Sequence, residues 1–376
     1  MNPLQQLLDH GQSFWLDDLT RDLIRSGELA RRVREEGLRG VTSNPSIFAK
    51  AIEGSDAYDD QIADLSRQGL APAAVVERLT IDDVREACDV LRPVYDESEG
   101  ADGFVSLEVS PHLADDGPGS LAEALRLFEA VGRPNAFIKI PGTPAGLPGI
   151  EDALAAGVNI NITLLFSISS YLAVTEAYQR ALERRLTKGE PVDRLSSVAS
   201  FFVSRIDVMV DRALDKLSDS TDEARDLKGQ AAIANAKLAY QAFRSVLSAP
   251  RWQRLASHGA TVQRVLWAST SVKDPEYHDV KYIEPLIGAG TVNTMPYETA
   301  QAFADHGVVA DTVDEDLQQA EQTMSRLAAL GIDFEDVTDA LLKEGIEKFV
   351  VPYDDLVTLI AERCETARAG GSPRRG

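Results

Sequence analysis

Residues 136–143 read AFIKIPGT and place Lys139 in the middle of a strand-forming run. An ammonium ion resists leaving water, so this residue needs an explanation. Either the side chain extends to solvent, or its amine is needed inside as a nucleophile. This stretch alone favours the first alternative, but the polar residues of the other strand-like segments favour the second.

Strand-like segments alternate with longer helical patterns along the chain. Eight segments have the composition of strands, and they span residues 13–18, 39–44, 103–110, 136–141, 158–166, 197–204, 262–269 and 291–296. Strands that alternate with helices predict parallel βα units. Eight such units favour a closed (β/α)₈ TIM barrel of the α/β class over an open, doubly wound sheet.

The chain of 376 residues is longer than the roughly 250 residues of a bare barrel. Residues 45–102, residues 205–261 and the segment after residue 296 contain further helical patterns. We therefore expect a single barrel domain over residues 1–369, with helical insertions and C-terminal helices. Residues 370–376 read as a disordered tail.

Polar residues fall on one face of most predicted strands. In the fifth strand Asn161 and Thr163 alternate with Ile160, Ile162 and Leu164, and side chains two apart share a face. The resulting polar set contains Asp17, Asn44, Glu108, Lys139, Asn161, Thr163 and Ser200. The alternative is a half-solvated antiparallel sheet, but the intervening helices would normally cover such a sheet. Most of the set lies in the C-terminal half of its strand, where barrel active sites are built.

One lysine, two carboxylates and several hydroxyl and amide groups suit Schiff-base chemistry on a carbonyl substrate. Burial favours the neutral, nucleophilic form of a lysine amine. A carboxylate can then shuttle protons while the carbinolamine loses water, and another can take a hydroxyl proton during carbon–carbon cleavage. The five histidines never fall at metal-ligand spacing, and no nucleotide-binding motif is present. We therefore expect neither a metal nor a cofactor.

The net charge of −22 opposes binding to nucleic acid and to anionic membranes. An anionic substrate would need a local cluster of positive charge. Arg205 follows the sixth strand, and Ser269 and Lys273 follow the seventh, where barrels often bind phosphate. For each cation alone, a solvated surface charge remains the favoured alternative.

Two cysteines, Cys88 and Cys364, suggest no disulfide framework. The N-terminal residues lack the pattern of a signal peptide, and no apolar run has the length of a membrane span. These features predict a cytoplasmic protein.

Several motifs together resemble the transaldolase family. They are VTSNPSIF (41–48), FIKIPGT (137–143), NINITLLFS (159–167) and SFFVSRI (200–206), supported by WLDD (15–18) and SLEVSP (106–111). The match is looser after residue 206, where WAS and TVNTMP resemble the longer bacterial members. The resemblance implies a cofactor-free transfer of a dihydroxyacetone unit between phosphosugars. We expect a monomer or a homodimer.

The resemblance also implies catalytic roles. Lys139 would form the Schiff base, and Asp17, rather than Asp18, would act as general acid and base on the C4 hydroxyl of the substrate. Glu108, working with Thr163 through a water molecule, would serve the formation and dehydration of the carbinolamine.

The same resemblance implies the substrate-binding residues. The dihydroxyacetone part would be held by Asn44, Ser106, Asn161 and Ser200. The phosphate would be bound by Arg205 and Ser269. The second phosphate-binding arginine of the family is not at its expected place, and Lys273 is our substitute for it.

Two rival functions remain at this point. The related fructose-6-phosphate aldolases, which release free dihydroxyacetone, carry Gln and Tyr where this chain has Glu108 and Phe202. This pair and the greater length of the chain favour transaldolase, and we expect Phe202 to be a further substrate-binding residue. The other rival is a non-catalytic phosphosugar-binding protein on the same barrel, which the complete catalytic set disfavours.

Overall fold

The structure of the chain is a computed structural model that describes residues 2–217 and 222–369. The predicted tail at residues 370–376 lies outside the described residues. Within the described part, no helix is both long enough and apolar enough to cross a bilayer.

Eight parallel strands form a closed barrel in which each strand pairs with its neighbours in sequence and β8 returns to β1. The strands are β1 (Gln12–Asp17), β2 (Gly40–Thr42), β3 (Phe104–Glu108), β4 (Ala136–Pro141), β5 (Ile160–Leu165), β6 (Ser197–Phe202), β7 (Arg264–Ala268) and β8 (Thr291–Met295). The predicted (β/α)₈ TIM barrel is confirmed, and the antiparallel alternative is wrong. Several of the predicted strands extend one or two residues beyond the observed ones.

Sixteen α-helices lie within residues 2–217 and 222–369. They are α1 (Pro3–Asp9), α2 (Arg21–Arg25), α3 (Glu28–Glu35), α4 (Pro45–Glu53), α5 (Asp59–Arg67), α6 (Pro72–Glu97), α7 (Gly117–Val131), α8 (Leu147–Ala155), α9 (Ile168–Thr187), α10 (Ser204–Asp215), α11 (Asp222–Asp226), α12 (Ala231–Ser248), α13 (Pro250–Ser257), α14 (Tyr297–His306), α15 (Leu317–Ala329) and α16 (Phe334–Arg368). Three 3₁₀ turns span Asp56–Tyr58, Pro111–Leu113 and Glu284–Leu286. The additional helices expected in residues 45–102, in residues 205–261 and after residue 296 are all present.

An aromatic layer closes the lumen below the polar residues. Trp15, Phe104 and Phe137 each lie two residues before a polar site residue on the same strand, so they point into the lumen one layer lower. The rings of Phe104 and Phe137 stack with centroids 4.2 Å apart, and the Trp15 ring lies 6.1 Å from that of Phe137. Trp15 Nε1 donates a hydrogen bond to Asp102 (2.9 Å), which fixes the indole. The polar side chains of the lumen therefore lie on top of a packed aromatic layer.

Strand β5 departs from regular alternation at its C-terminal end. Its register with β6 shifts between Ile162 and Leu165, and Leu164 has a φ of 62° in the left-handed region. The alternation predicted from Ile160 through Leu164 therefore breaks at Leu164. This residue lies beside Gly345 of α16, where a Cβ would be 3.0 Å from Leu164 Cδ2.

Candidate active site

A cavity of about 600 Å³, open solvent included, lies at the C-terminal ends of the strands. Nine of the twelve predicted site residues line it: Asp17, Asn44, Lys139, Thr163, Ser200, Phe202, Arg205, Ser269 and Lys273. The other three are Ser106, Glu108 and Asn161, which reach the same place through hydrogen bonds to these residues or their neighbours. The parallel barrel thus brings together residues from every part of the sequence.

Lys139 and Glu108 form the central ion pair of this cavity. The ladder places them side by side on β3 and β4, and Lys139 Nζ lies 2.8 Å from Glu108 Oε1. Their side chains are 7% and 10% exposed. Lys139 Nζ also donates to the carbonyl oxygen of Ser43 (2.7 Å), and Ser43 Oγ lies 3.2 Å from Glu108 Oε2. Lys139 is therefore a buried amine and does not extend to solvent.

Burial raises the pKa of the Glu108 carboxyl above its usual value of 4.5, and the charge of Lys139 and the hydroxyl of Ser43 oppose that rise. A carboxylate whose pKa is raised is a better base toward a neighbouring ammonium ion. Glu108 can thus exchange a proton directly with Lys139. Ser43 was not singled out from the sequence, although it lies inside the VTSNPSIF motif.

Asp17 lies at the end of β1 and faces the cavity. Its Oδ1 accepts a hydrogen bond from Thr42 Oγ1 (2.6 Å), and the Thr42 and Thr294 hydroxyls lie 2.7 Å apart. Asp18 does not line the cavity; burial and the charge of Asp17 raise the pKa of its carboxyl. Of the two aspartates, Asp17 is thus the one that lines the cavity. Sequence reasoning missed Thr42, which the neighbouring strand β2 pairs with Asp17, and Thr294, which barrel closure brings to β1.

Three of the predicted dihydroxyacetone ligands form one hydrogen-bonded row. Asn161 Nδ2 donates to Ser106 Oγ (3.0 Å), and Ser200 Oγ donates to Asn161 Oδ1 (2.6 Å). Asn161 thus links the two serines, and both Ser106 and Asn161 are fully buried. Asn44 has a further structural role, because its Oδ1 accepts a hydrogen bond from Ile47 N at the start of α4 (3.1 Å).

The hydroxyl of Thr163 is buried and has no hydrogen-bond partner among the described residues. Thr163 shares the inward face of β5 with Asn161 and lines the cavity. Buried hydroxyls are normally hydrogen-bonded in native structures. This one is available to a bound substrate or to water.

The predicted phosphate ligands follow the ends of β6 and β7 and line the same cavity. Arg205 stands in the first turn of α10, and its buried Nη1 has no hydrogen-bond partner among the described residues. Burial and the nearby charge of Arg205 lower the pKa of Lys273, whose amine donates to Ser271 Oγ (2.5 Å). Ser269 has a φ of 56°, a conformation uncommon for a residue with a Cβ. Two adjacent cations in a strongly anionic chain suit an anionic ligand.

Two aromatic side chains complete the cavity wall. The Phe202 ring lies 5.2 Å from the guanidinium carbon of Arg205 and 5.2 Å from the Phe166 ring. Phe349 of α16 reaches the same cavity from the C-terminal helix. Nothing in the sequence around Phe349 distinguishes it from an ordinary core position, so sequence reasoning missed it.

One group of three potential metal ligands occurs among residues 2–217 and 222–369. His278, Asp279 and His306 are exposed, and their ligand atoms lie within 4.8 Å of one another. His306 Nε2 lies 2.9 Å from Asp279 Oδ1, so the two already pair. The group is not part of the cavity lining. Sequence spacing did not reveal it because His278 and His306 meet only in the folded chain.

Comparisons with known proteins agree with this geometry. The family model described as Transaldolase/Fructose-6-phosphate aldolase matches residues 14–360. A protein named Transaldolase from Acidothermus cellulolyticus is 48% identical over 98% of this chain and 98% of its own length. Transaldolase 2 from Nostoc punctiforme is 48% identical over 96% and 97%, and Transaldolase from Thermobifida fusca is 47% identical over 96% and 98%. The chain therefore belongs to the transaldolase/fructose-6-phosphate aldolase family.

Proposed function

We propose that the chain is a transaldolase of the pentose phosphate pathway, a transferase that works through a Schiff base on Lys139. It moves a dihydroxyacetone unit from sedoheptulose 7-phosphate to glyceraldehyde 3-phosphate, which gives erythrose 4-phosphate and fructose 6-phosphate. The observation that carries this proposal is the buried contact of 2.8 Å between Lys139 Nζ and Glu108 Oε1 at the base of a polar cavity.

Schiff-base formation begins with removal of a proton from Lys139. Glu108, with its raised pKa, accepts this proton, and the neutral amine attacks C2 of the ketose. The resulting carbinolamine loses its hydroxyl as water after Glu108 returns the proton. The unpartnered hydroxyl of Thr163 can hold the water that connects Glu108 to the C2 oxygen.

Carbon–carbon cleavage requires a base at the C4 hydroxyl. Asp17 takes that proton, the C3–C4 bond breaks, and its electrons move into the protonated imine to form an enamine. The donor leaves as an aldehyde. In the second half of the reaction C3 attacks the acceptor aldehyde, whose oxygen takes the proton back from Asp17. Hydrolysis of the new Schiff base frees the product and Lys139.

The substrate lies between the two ends of the cavity. Asn44, Ser106, Asn161 and Ser200 are the proposed ligands of the dihydroxyacetone hydroxyls. Arg205, Ser269 and Lys273 are the proposed ligands of the phosphate, supported by the unpartnered Nη1 of Arg205 and its closeness to Lys273. An arginine and a lysine together can neutralise a dianionic phosphate.

A coupled assay with and without an acceptor aldehyde tests this function. We expect consumption of sedoheptulose 7-phosphate to depend on glyceraldehyde 3-phosphate, with little free dihydroxyacetone. Rapid release of dihydroxyacetone without acceptor would instead identify an aldolase. Substrate binding without turnover and without a borohydride-trapped adduct would identify a phosphosugar-binding protein.

We further propose a cytoplasmic location and a monomer or homodimer, as expected from the sequence. Light scattering on the purified chain measures the mass in solution, and cell fractionation measures the location. A larger assembly or a secreted protein would contradict these expectations.

A further inference from the structure

Helix α16 crosses the C-terminal mouth of the barrel. It contacts α4, α5, α6, α10 and the end of β5. Its close approach to β5 depends on Gly345, because the space above Leu164 is too small for a longer side chain to enter without a shift. One face of α16 is buried over this course, with Leu341, Gly345 and Phe349 spaced four residues apart.

Phe349 is the residue of α16 that reaches the catalytic amine. It is 7% exposed and lines the cavity, and its ring centroid lies 5.4 Å from Lys139 Nζ. A ring at this distance favours a cation on that nitrogen. It also covers the nitrogen with a surface that has neither a hydrogen-bond donor nor an acceptor of ordinary strength.

The same helix reaches the proposed phosphate end of the cavity. Glu344, half-buried and one residue before Gly345, interacts electrostatically with Arg205. Helix α16 thus lies over both the amine and the cation that the proposed function requires. The position of α16 therefore affects the covalent intermediate on Lys139 as well as the packing of the fold.

We infer that Phe349 is a positioning residue that shields the three-carbon enamine on Lys139 and so favours transfer over release. This inference rests on the proposed function. In transfer, C3 of the enamine forms a bond to the acceptor carbon and the acceptor oxygen takes a proton. In release, C3 takes a proton from water, water then adds to C2, and the C2–N bond breaks to give dihydroxyacetone and the free amine. The phenyl ring excludes the water that release requires at C3.

The test compares Phe349→Ala and Phe349→Tyr with wild type. Alanine opens the space above the amine, and tyrosine keeps the packing but adds a hydroxyl that can hold water. We expect each to raise the ratio of dihydroxyacetone release to transfer by about tenfold, equivalent to about 1.4 kcal/mol between the two barriers. Val351→Ala changes an exposed residue of the same helix and should leave the ratio unchanged.

Release is measured without acceptor, transfer with glyceraldehyde 3-phosphate, and Schiff-base formation by borohydride trapping. Trapping should persist in both Phe349 variants, which separates partitioning from loss of the intermediate. Phe349→Tyr keeps the experiment decisive if the alanine variant does not fold. A wild-type ratio in the folded variants would overturn the inference, whereas failure of the wild type to transfer would contradict the proposed function itself.

Discussion

At the scale of single residues, the site depends on one buried ion pair. The neighbouring strands β3 and β4 place Glu108 and Lys139 side by side, and the backbone oxygen of Ser43 holds the amine on its other side. Buried pairs of this kind are costly and add little stability, which makes a chemical role the better explanation. The carboxylate and the amine lie 2.8 Å apart, so substitutions at either position should alter proton transfer between them.

Substitution of Glu108 should change how Schiff-base formation depends on pH. Because burial raises the pKa of Glu108, its carboxylate is protonated and lost as a base when the pH falls through a value above 4.5. The rate should therefore fall on the acid side in wild type. Glu108→Gln should lower the rate by about 100-fold and remove this acid limb. Single-turnover trapping across a pH series measures both effects.

Glu123→Gln is a matched control for that experiment. Glu123 is also a partly buried carboxyl with a raised pKa, but its partner is the backbone N–H of Ser110 (2.8 Å). Glu123→Gln should keep the fall in the rate of Schiff-base formation that the wild type shows at low pH. An acid limb that persists in Glu108→Gln would show that another group supplies the base.

Phe202 and Glu108 should also influence partitioning between transfer and release. A phenyl ring offers no hydroxyl to bind water, and an amide cannot shuttle protons as a carboxylate does. We expect Phe202→Tyr, alone or with Glu108→Gln, to raise dihydroxyacetone release relative to transfer. Assays with and without acceptor measure the ratio of release to transfer. An unchanged ratio in both variants would show that these positions do not control partitioning.

At the scale of elements, short strands and an aromatic layer set the depth of the site. Strand β2 carries Gly40, and a Cβ there would lie 2.4 Å from the Trp15 ring. The ring cannot easily move because Asp102 holds its N–H. A larger residue at position 40 must therefore shift β2 or the indole, and both support Asp17 and Thr42 above them.

Gly40→Ala should therefore destabilise the fold by about 1–3 kcal/mol, the usual cost of overpacking a core. Urea unfolding of both proteins measures the difference in free energy of unfolding. Gly54→Ala is the control, because its nearest neighbour would be Lys50 O at 3.1 Å at the exposed end of α4. Equal stability of Gly40→Ala and wild type would mean that the aromatic layer is less rigid than its geometry indicates.

Elements were predictable where periodicity was strong and less so where the backbone is irregular. All eight strands follow from β-forming runs, and Lys139, Asn161 and Ser200 follow from period-2 alternation. Leu164 does not, because its left-handed conformation at the register shift with β6 breaks the alternation. Phe349 and Thr294 could not be placed either, since their approach to the site depends on tertiary packing and barrel closure.

At the scale of the whole molecule, the dominant feature is a net charge of −22 around a site proposed for dianionic sugars. The overall field opposes such substrates, and the local cations must overcome it. Arg205 and Lys273 are the cations that line the cavity besides Lys139. Their closeness despite like charge is the reason to expect a phosphate between them.

Arg205→Ala should lower kcat/KM for phosphorylated substrates by about 10- to 150-fold, the loss of one charge-assisted hydrogen bond of roughly 1.5–3 kcal/mol. Unphosphorylated glyceraldehyde does not use this contact, so its slower reaction should change little. Lys273→Ala should show the same pattern more weakly, because an ammonium group cannot make the two parallel hydrogen bonds that a guanidinium makes to a phosphate. Arg212→Ala, an exposed cation on the same helix, is the control. Equal losses on both acceptors would remove Arg205 from the phosphate site.

The central claim is that Lys139 forms the Schiff base, and borohydride trapping with fructose 6-phosphate followed by peptide mass spectrometry tests it most directly. Lys237 is the matched competitor because it is a second buried lysine, and its amine donates to the carbonyl oxygens of Thr312 and Glu315. Burial lowers the pKa of the Lys237 amine. We expect a reduced three-carbon adduct on the peptide that contains Lys139, its loss together with turnover in folded Lys139→Arg, and its retention in Lys237→Arg. An adduct on Lys237 or another lysine, or comparable transfer by Lys139→Arg, would contradict the account.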